Sequence, residues 1–82
     1  MKKAPIDVKI LASPGADLDV CTQRVWAAAQ RVRCSVAVEQ VQDARQIALY
    51  GALATPALVV AGQLVHTGCM PAGKEIQKYL QH

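Results

Sequence analysis

Three cysteines, Cys21, Cys34 and Cys69, are the side chains here best suited to chemistry, because a thiolate is both a nucleophile and a metal ligand. They lie 13 and 35 residues apart, with no C-x-x-C pair and no second metal-type doublet, so a disulfide framework is not expected. His66-x-x-Cys69 offers two metal ligands. A zinc site needs three or four, and no cofactor is expected. No Ser-His-Asp set, paired carboxylates or glycine-rich phosphate loop appears, which removes the common routes to acyl, glycosyl and phosphoryl transfer. The basic residues Lys2, Lys3, Lys9, Arg24, Arg31, Arg33, Arg45, Lys74 and Lys78 are scattered. Arg24 and Arg31 share a helix face but have no interleaved aromatic residues, so they read as a solvated face and no nucleic-acid partner is expected.

The elements that must position these groups follow from the chain's periodicities. With 82 residues, 52% of them apolar and a net charge of +3, one folded domain over 1–82 is expected. Fourteen alanines, one Trp and no Phe predict a tight core without a roomy ligand cavity. Ile6 to Leu11 alternates apolar and charged residues and ends at Ala12-Ser13-Pro14-Gly15, a strand and a loop. Leu18, Cys21, Val25, Ala28, Ala29 and Val32 fall within about 100° on a helical wheel, predicting a helix over Asp19–Arg33 with Asp17 or Asp19 as cap. Trp26 lies on the flank of that wheel. Ser35 to Val41 predicts a second strand, opened by Cys34, and Asp43 caps a short helix that Gly51 stops. Ala57 to Val60 and Gln63 to Thr67 form a hairpin across Ala61-Gly62, and Lys74 to Leu80 is a final amphipathic helix with Ile76, Tyr79 and Leu80 on its apolar face. Met1-Lys2-Lys3 is briefly like a signal n-region, but Asp7 and Lys9 break the apolar run that follows. No stretch approaches the roughly 18 apolar residues of a membrane span, so the expected setting is a reducing cytoplasm, with no membrane partner.

The resulting order, βαβαββα with a proline directly before a buried strand, resembles the thioredoxin fold, and most closely the short bacterial and archaeal thioredoxin-like proteins of about this length. The resemblance is carried by Tyr50-Gly51-Ala52-Leu53-Ala54-Thr55-Pro56-Ala57-Leu58-Val59-Val60-Ala61-Gly62, and Gly68 and Glu75-Ile76-Gln77-Lys78-Tyr79-Leu80 continue its register, so it covers essentially the whole chain. It implies an α/β fold with a four-stranded mixed sheet and three helices. It further implies that Pro56 is in cis, that the backbone of Thr55 pairs with an extended peptide, and that Cys69 lies in a loop forming one wall of that groove. The family's C-x-x-C falls between the first strand and first helix, where the ungapped register places Gly15-Ala16-Asp17-Leu18, with Gly15 and Leu18 at the cysteine positions. Three extra loop residues would instead align Cys21 with the second cysteine and Leu18 with the first. On either register the two-thiol chemistry is lost, since that route needs an attacking and a resolving thiol.

These implications lead to a binding module without the redox pair. Its groove is formed by Ala54, Thr55, Pro56, Gly15, Ala16, Asp17, Leu18, Gly68 and Cys69, and its partner is a protein or peptide thiol, with glutathione as a small-molecule alternative. A second expectation is a monothiol oxidoreductase or thiol-transfer protein using Cys69 or Cys21, with glutathione or a partner thiol resolving the mixed disulfide. A third is a homodimeric structural subunit that buries the groove or the Trp26 flank. Cys21 and Cys34 also read as small core hydrophobes, and Asp17 and Asp19 as caps whose charge disfavours phosphate at the first helix.

Overall fold

The computed structural model describes residues 4–13 and 18–81. Gly15, Ala16 and Asp17 lie outside that range. The elements are β1 (Ile6–Leu11), α1 (Leu18–Arg31), β2 (Val36–Val41), α2 (Ala44–Leu49), β3 (Ala57–Val60), β4 (Gln63–Thr67) and α3 (Gly73–Leu80). They build one mixed sheet in the order β2-β1-β3-β4. β1 and β2 are parallel, with α1 as the crossover that a parallel pair requires, whereas β1–β3 and β3–β4 are antiparallel. This is a thioredoxin-like α/β arrangement. Among the described residues, no helix is long and apolar enough to cross a membrane.

The sheet separates two cores. Val8 and Ile10 of β1, with Leu58 and Val60 of β3, meet Leu18, Val25, Ala28 and Ala29 of α1 and Ile76 and Leu80 of α3. On the opposite face, Leu11, Val41, Ala57 and Val59 meet the half-buried Ile47, Tyr50 and Leu64. β3 therefore feeds both cores, which is why Ala57-Leu58-Val59-Val60 is apolar at every position rather than alternating. The alanines of α1 leave room for α3 alongside it. Between the two helices runs an open groove of about 590 Å³ bordered by Arg24, Arg31 and Lys74, and the Arg24 guanidinium reaches the Pro71 carbonyl at 3.5 Å.

Four boundaries differ from the sequence expectation, and a backbone turn accounts for the end of α1 and the start of β2. α1 stops at Arg31 rather than Arg33 because Arg33 takes a left-handed φ of +56°. The Arg33 N–H then donates to the Gln30 carbonyl and the Cys34 N–H to the Ala29 carbonyl, the paired bonds that close a Schellman terminus. Cys34 consequently belongs to the helix exit, and β2 opens at Val36 rather than Ser35. α1 also begins at Leu18, so Asp19 sits inside its first turn instead of capping it. There it faces the positive end of the helix dipole. α3 starts at Gly73, one residue before Lys74. By contrast, the Asp43 carboxylate accepts from the Arg45 N–H as the N-cap of α2.

Candidate functional site

Two groups of expected site residues converge at the end of the sheet where β3 begins and β4 ends. The first surrounds Pro56. The Thr55–Pro56 bond is cis and β3 starts at the next residue. The segment is held from two sides: the Ser13 and Thr55 hydroxyls are 3.1 Å apart, and the Gly68 N–H donates to the Pro56 carbonyl at 3.0 Å. Gly68 has φ +94°, and a Cβ built there would stand 4.0 Å from the Ala54 Cβ. Ala54 is exposed, while Thr55 and Pro56 are half-buried. Next to them the Leu53 side chain is 99% exposed. Leu18 opens α1 with its side chain buried in the core.

The second group surrounds Cys69. Cys69 is exposed, whereas Cys21 and Cys34 are partly covered. Cys21 packs against the α1/α3 core, and the Cys34 thiol lies 3.8 Å from the Val32 and Leu80 carbonyls. His66 Nε2 is 3.5 Å from the Cys69 Sγ. On the other side of the ring, Nδ1 is 3.4 Å from the Tyr79 hydroxyl and 4.0 Å from Glu75 Oε2. The His66 and Tyr79 rings are tilted by 48° with centroids 6.5 Å apart.

A β-bulge creates this meeting. Leu58 pairs with His66 but Val59 pairs with Leu64, leaving Val65 as the extra residue on β4. In a regular strand Leu64 and His66, two apart, would face the same way. The bulge breaks that parity. Leu64 packs on the α2 face, while Val65 packs against the α1/α3 core and the His66 ring meets Tyr79 and Glu75 of α3. Glu75 and Tyr79 are four residues apart on α3, the spacing that stacks side chains on one helix face. Because Cys69 and Glu75 approach opposite nitrogens of one ring, they do not share a metal position, and among the described residues no group of three or more His, Cys, Asp or Glu side chains could hold a metal ion.

Ser13, Leu53, Glu75 and Tyr79 were not expected site residues. The i, i+4 spacing of Glu75 and Tyr79 was the available signal. Reading Tyr79 as purely apolar concealed it, since a tyrosine can bury its ring while its hydroxyl serves a polar neighbour. Trp26 lies away from both groups and is 46% exposed on α1.

Comparison with known proteins agrees with this architecture. No curated protein matches the chain significantly. A family model described as a thioredoxin domain matches residues 6–81, from the first residue of β1 to the residue after α3. With all seven elements inside that match, the chain belongs to the thioredoxin domain family.

Proposed function

We propose that this protein is a thioredoxin-domain binding module that receives an extended segment of a protein partner along Ala54, Thr55 and Pro56, without paired-thiol redox chemistry. The observation that carries this reading is the cis-Pro segment pinned from both sides, by Ser13 through Thr55 and by Gly68 through Pro56. The same sequence offers no C-x-x-C pair. A held backbone segment presents its peptide groups in fixed geometry, which lowers the ordering cost of adding a strand-like ligand. Leu53 supplies an apolar side chain at the edge of that segment, and covering it on binding withdraws apolar surface from water. A reducing cytoplasm suits a chain whose cysteines have no framework spacing.

The test is selection of binding peptides from a displayed random library against the wild-type protein, followed by affinity measurement on Leu53→Asp. Bound peptide should shift the backbone amide resonances of Ala54, Thr55 and Gly68, and Leu53→Asp should weaken binding by about tenfold, the scale of losing one buried apolar side chain. Peptides that bind Leu53→Asp as tightly as wild type, with shifts centred elsewhere, would remove this reading.

A further inference from the structure

Cys69, His66, Glu75 and Tyr79 form a connected set that peptide binding at Thr55 does not use. We infer that they constitute a single-thiol exchange site whose substrates are low-molecular-weight disulfides and thiols. Cys69 is the nucleophile, His66 Nε2 the base that takes its proton, and Glu75 and Tyr79 the positioning residues for the ring.

The chemistry follows from what each group can donate. An ionised carboxylate only accepts hydrogen bonds, and a tyrosine hydroxyl can accept as well. An Nδ1 that faces Glu75 Oε2 and the Tyr79 hydroxyl is therefore assigned the ring proton. Nε2 then carries the lone pair, and that nitrogen is the one 3.5 Å from Cys69 Sγ. Nucleophile, base and ring-orienting group thus stand in the order that activated cysteines require. The His66 side chain is 23% exposed, close to solvent yet backed by α3. Cys69 is exposed enough for a small disulfide to approach.

In the first step the Cys69 proton passes to His66 Nε2, and the thiolate attacks one sulfur of a disulfide R–S–S–R. The Cys69–S–S–R bond forms as the R–S–S–R bond breaks. The leaving RS⁻ takes the proton back from the imidazolium and departs as RSH. Cys69 is oxidised to the mixed disulfide and one R–S group is reduced. In the second step a further thiol of the same small-molecule class, R′SH, gives its proton to His66 Nε2 and attacks the R sulfur as thiolate. The bond between Cys69 Sγ and that sulfur breaks, R–S–S–R′ leaves, and the Cys69 thiolate takes the proton from the imidazolium to restore the thiol. The same class of molecule serves as both oxidant and reductant, so no second protein cysteine is needed. Cys34 is held at the α1 exit near the Leu80 carbonyl, away from this cycle.

The experiment is incubation of the purified protein with glutathione disulfide across a range of pH, with each cysteine followed by mass spectrometry. A free thiol is only a few per cent thiolate at pH 7, so a base that removes the proton has about tenfold or more to offer there. Cys69 should therefore gain one glutathionyl group about tenfold faster than the same segment as a free peptide. His66→Gln should slow it by about tenfold at pH 7. The two rates should converge above the ordinary thiol pKa of about 8.5, where the base is superfluous. Cys69, His66, Glu75 and Tyr79 are the titratable groups facing one another in this cluster. Glu75→Gln should give a smaller loss with the same pH signature, and Tyr79→Phe likewise. Should His66→Gln fail to fold, by circular dichroism, the half-exposed Glu75→Gln carries the test. Equal rates at pH 7 in wild type and variants, or a Cys69 no faster than its free peptide, would overturn the inference. Because the probe is a small disulfide, either result stands apart from peptide binding at Thr55.

Discussion

Lys9 shows how one charged side chain is kept on a mostly covered strand. It points to the same side of the sheet as Leu11 and Val59, and its Nζ is 2.8 Å from Asp7 Oδ2 and 3.5 Å from Glu39 Oε2 on the adjacent strand. The hydrogen bond from Lys9 to Asp7 raises the lysine above its ordinary range against the opposing pull of desolvation, with the charges of Asp7, Tyr50 and Glu39 adding to the rise. A raised folded-state pKa contributes stability that is complete below the unfolded value of about 10.4 and is lost as pH climbs through the folded value. Wild type should accordingly exceed Asp7→Asn in stability by a constant margin between about pH 7 and pH 9, and the margin should close above about pH 10.4, measured by urea unfolding. A margin that widens in that window would contradict the pairing. For an exposed partner such as Asp7 the plateau should be small, up to about 1 kcal/mol. The i, i+2 spacing of Asp7 and Lys9 was visible in the sequence. The third partner, Glu39, was not, because it arrives through the β1–β2 register.

At the scale of elements, two helix ends solve one geometric problem with different residues. α2 ends on Gly51, φ +81°, whose N–H donates to the Ala48 carbonyl while the Ala52 N–H donates to the Ile47 carbonyl. α1 ends in the same pattern on Arg33, φ +56°. A left-handed residue with a Cβ costs about 1–2 kcal/mol. Arg33→Gly should thus raise unfolding stability by about 1 kcal/mol, and Gly51→Ala, with nothing within 4 Å of the added Cβ, should lower it by about as much. Denaturant titration of the two variants checks both signs. The sequence announced the α2 stop because glycine is the usual residue for this conformation. It gave no such notice at Arg33, where the tertiary fold turns the chain from α1 into β2 and an arginine has to follow. The β3–β4 turn is a similar case, with Ala61 at φ +51° beside Gly62 at φ +81°, the two left-handed residues of a tight hairpin.

For the molecule as a whole, the two faces of the sheet differ in how firmly they are closed. α1 and α3 bury Leu18, Val25, Ala28, Ala29, Ile76 and Leu80 on one face, whereas α2 has no fully buried residue and leaves Leu49 86% exposed. Truncation of a fully buried core leucine costs about 2–5 kcal/mol, a large share of the 5–15 kcal/mol typical of small domains. Leu58→Ala should therefore bring the protein close to global unfolding. Ile47→Ala, half-buried under α2, should cost about 1 kcal/mol, and amides of α2 should exchange with solvent by local opening faster than those of β1 and β3. Thermal melts and hydrogen exchange read these outcomes, and α2 amides as protected as β1 would contradict them. The element order, the two-sided burial of β3, the hairpin turn and the Asp43 cap were determined by the sequence itself, since each rests on periodicity or on a residue whose conformational preference acts within a few positions. The cluster of Cys69, His66, Glu75 and Tyr79 was decided only in three dimensions. Cys69 and His66 suggested at most half a metal site when read along the chain, because period-two alternation places His66 on the face of Leu64. The bulge at Val65 reverses that parity, and α3 packing beside α1 then brings Glu75 and Tyr79 to the ring, a conjunction of long-range contacts that no local pattern encodes.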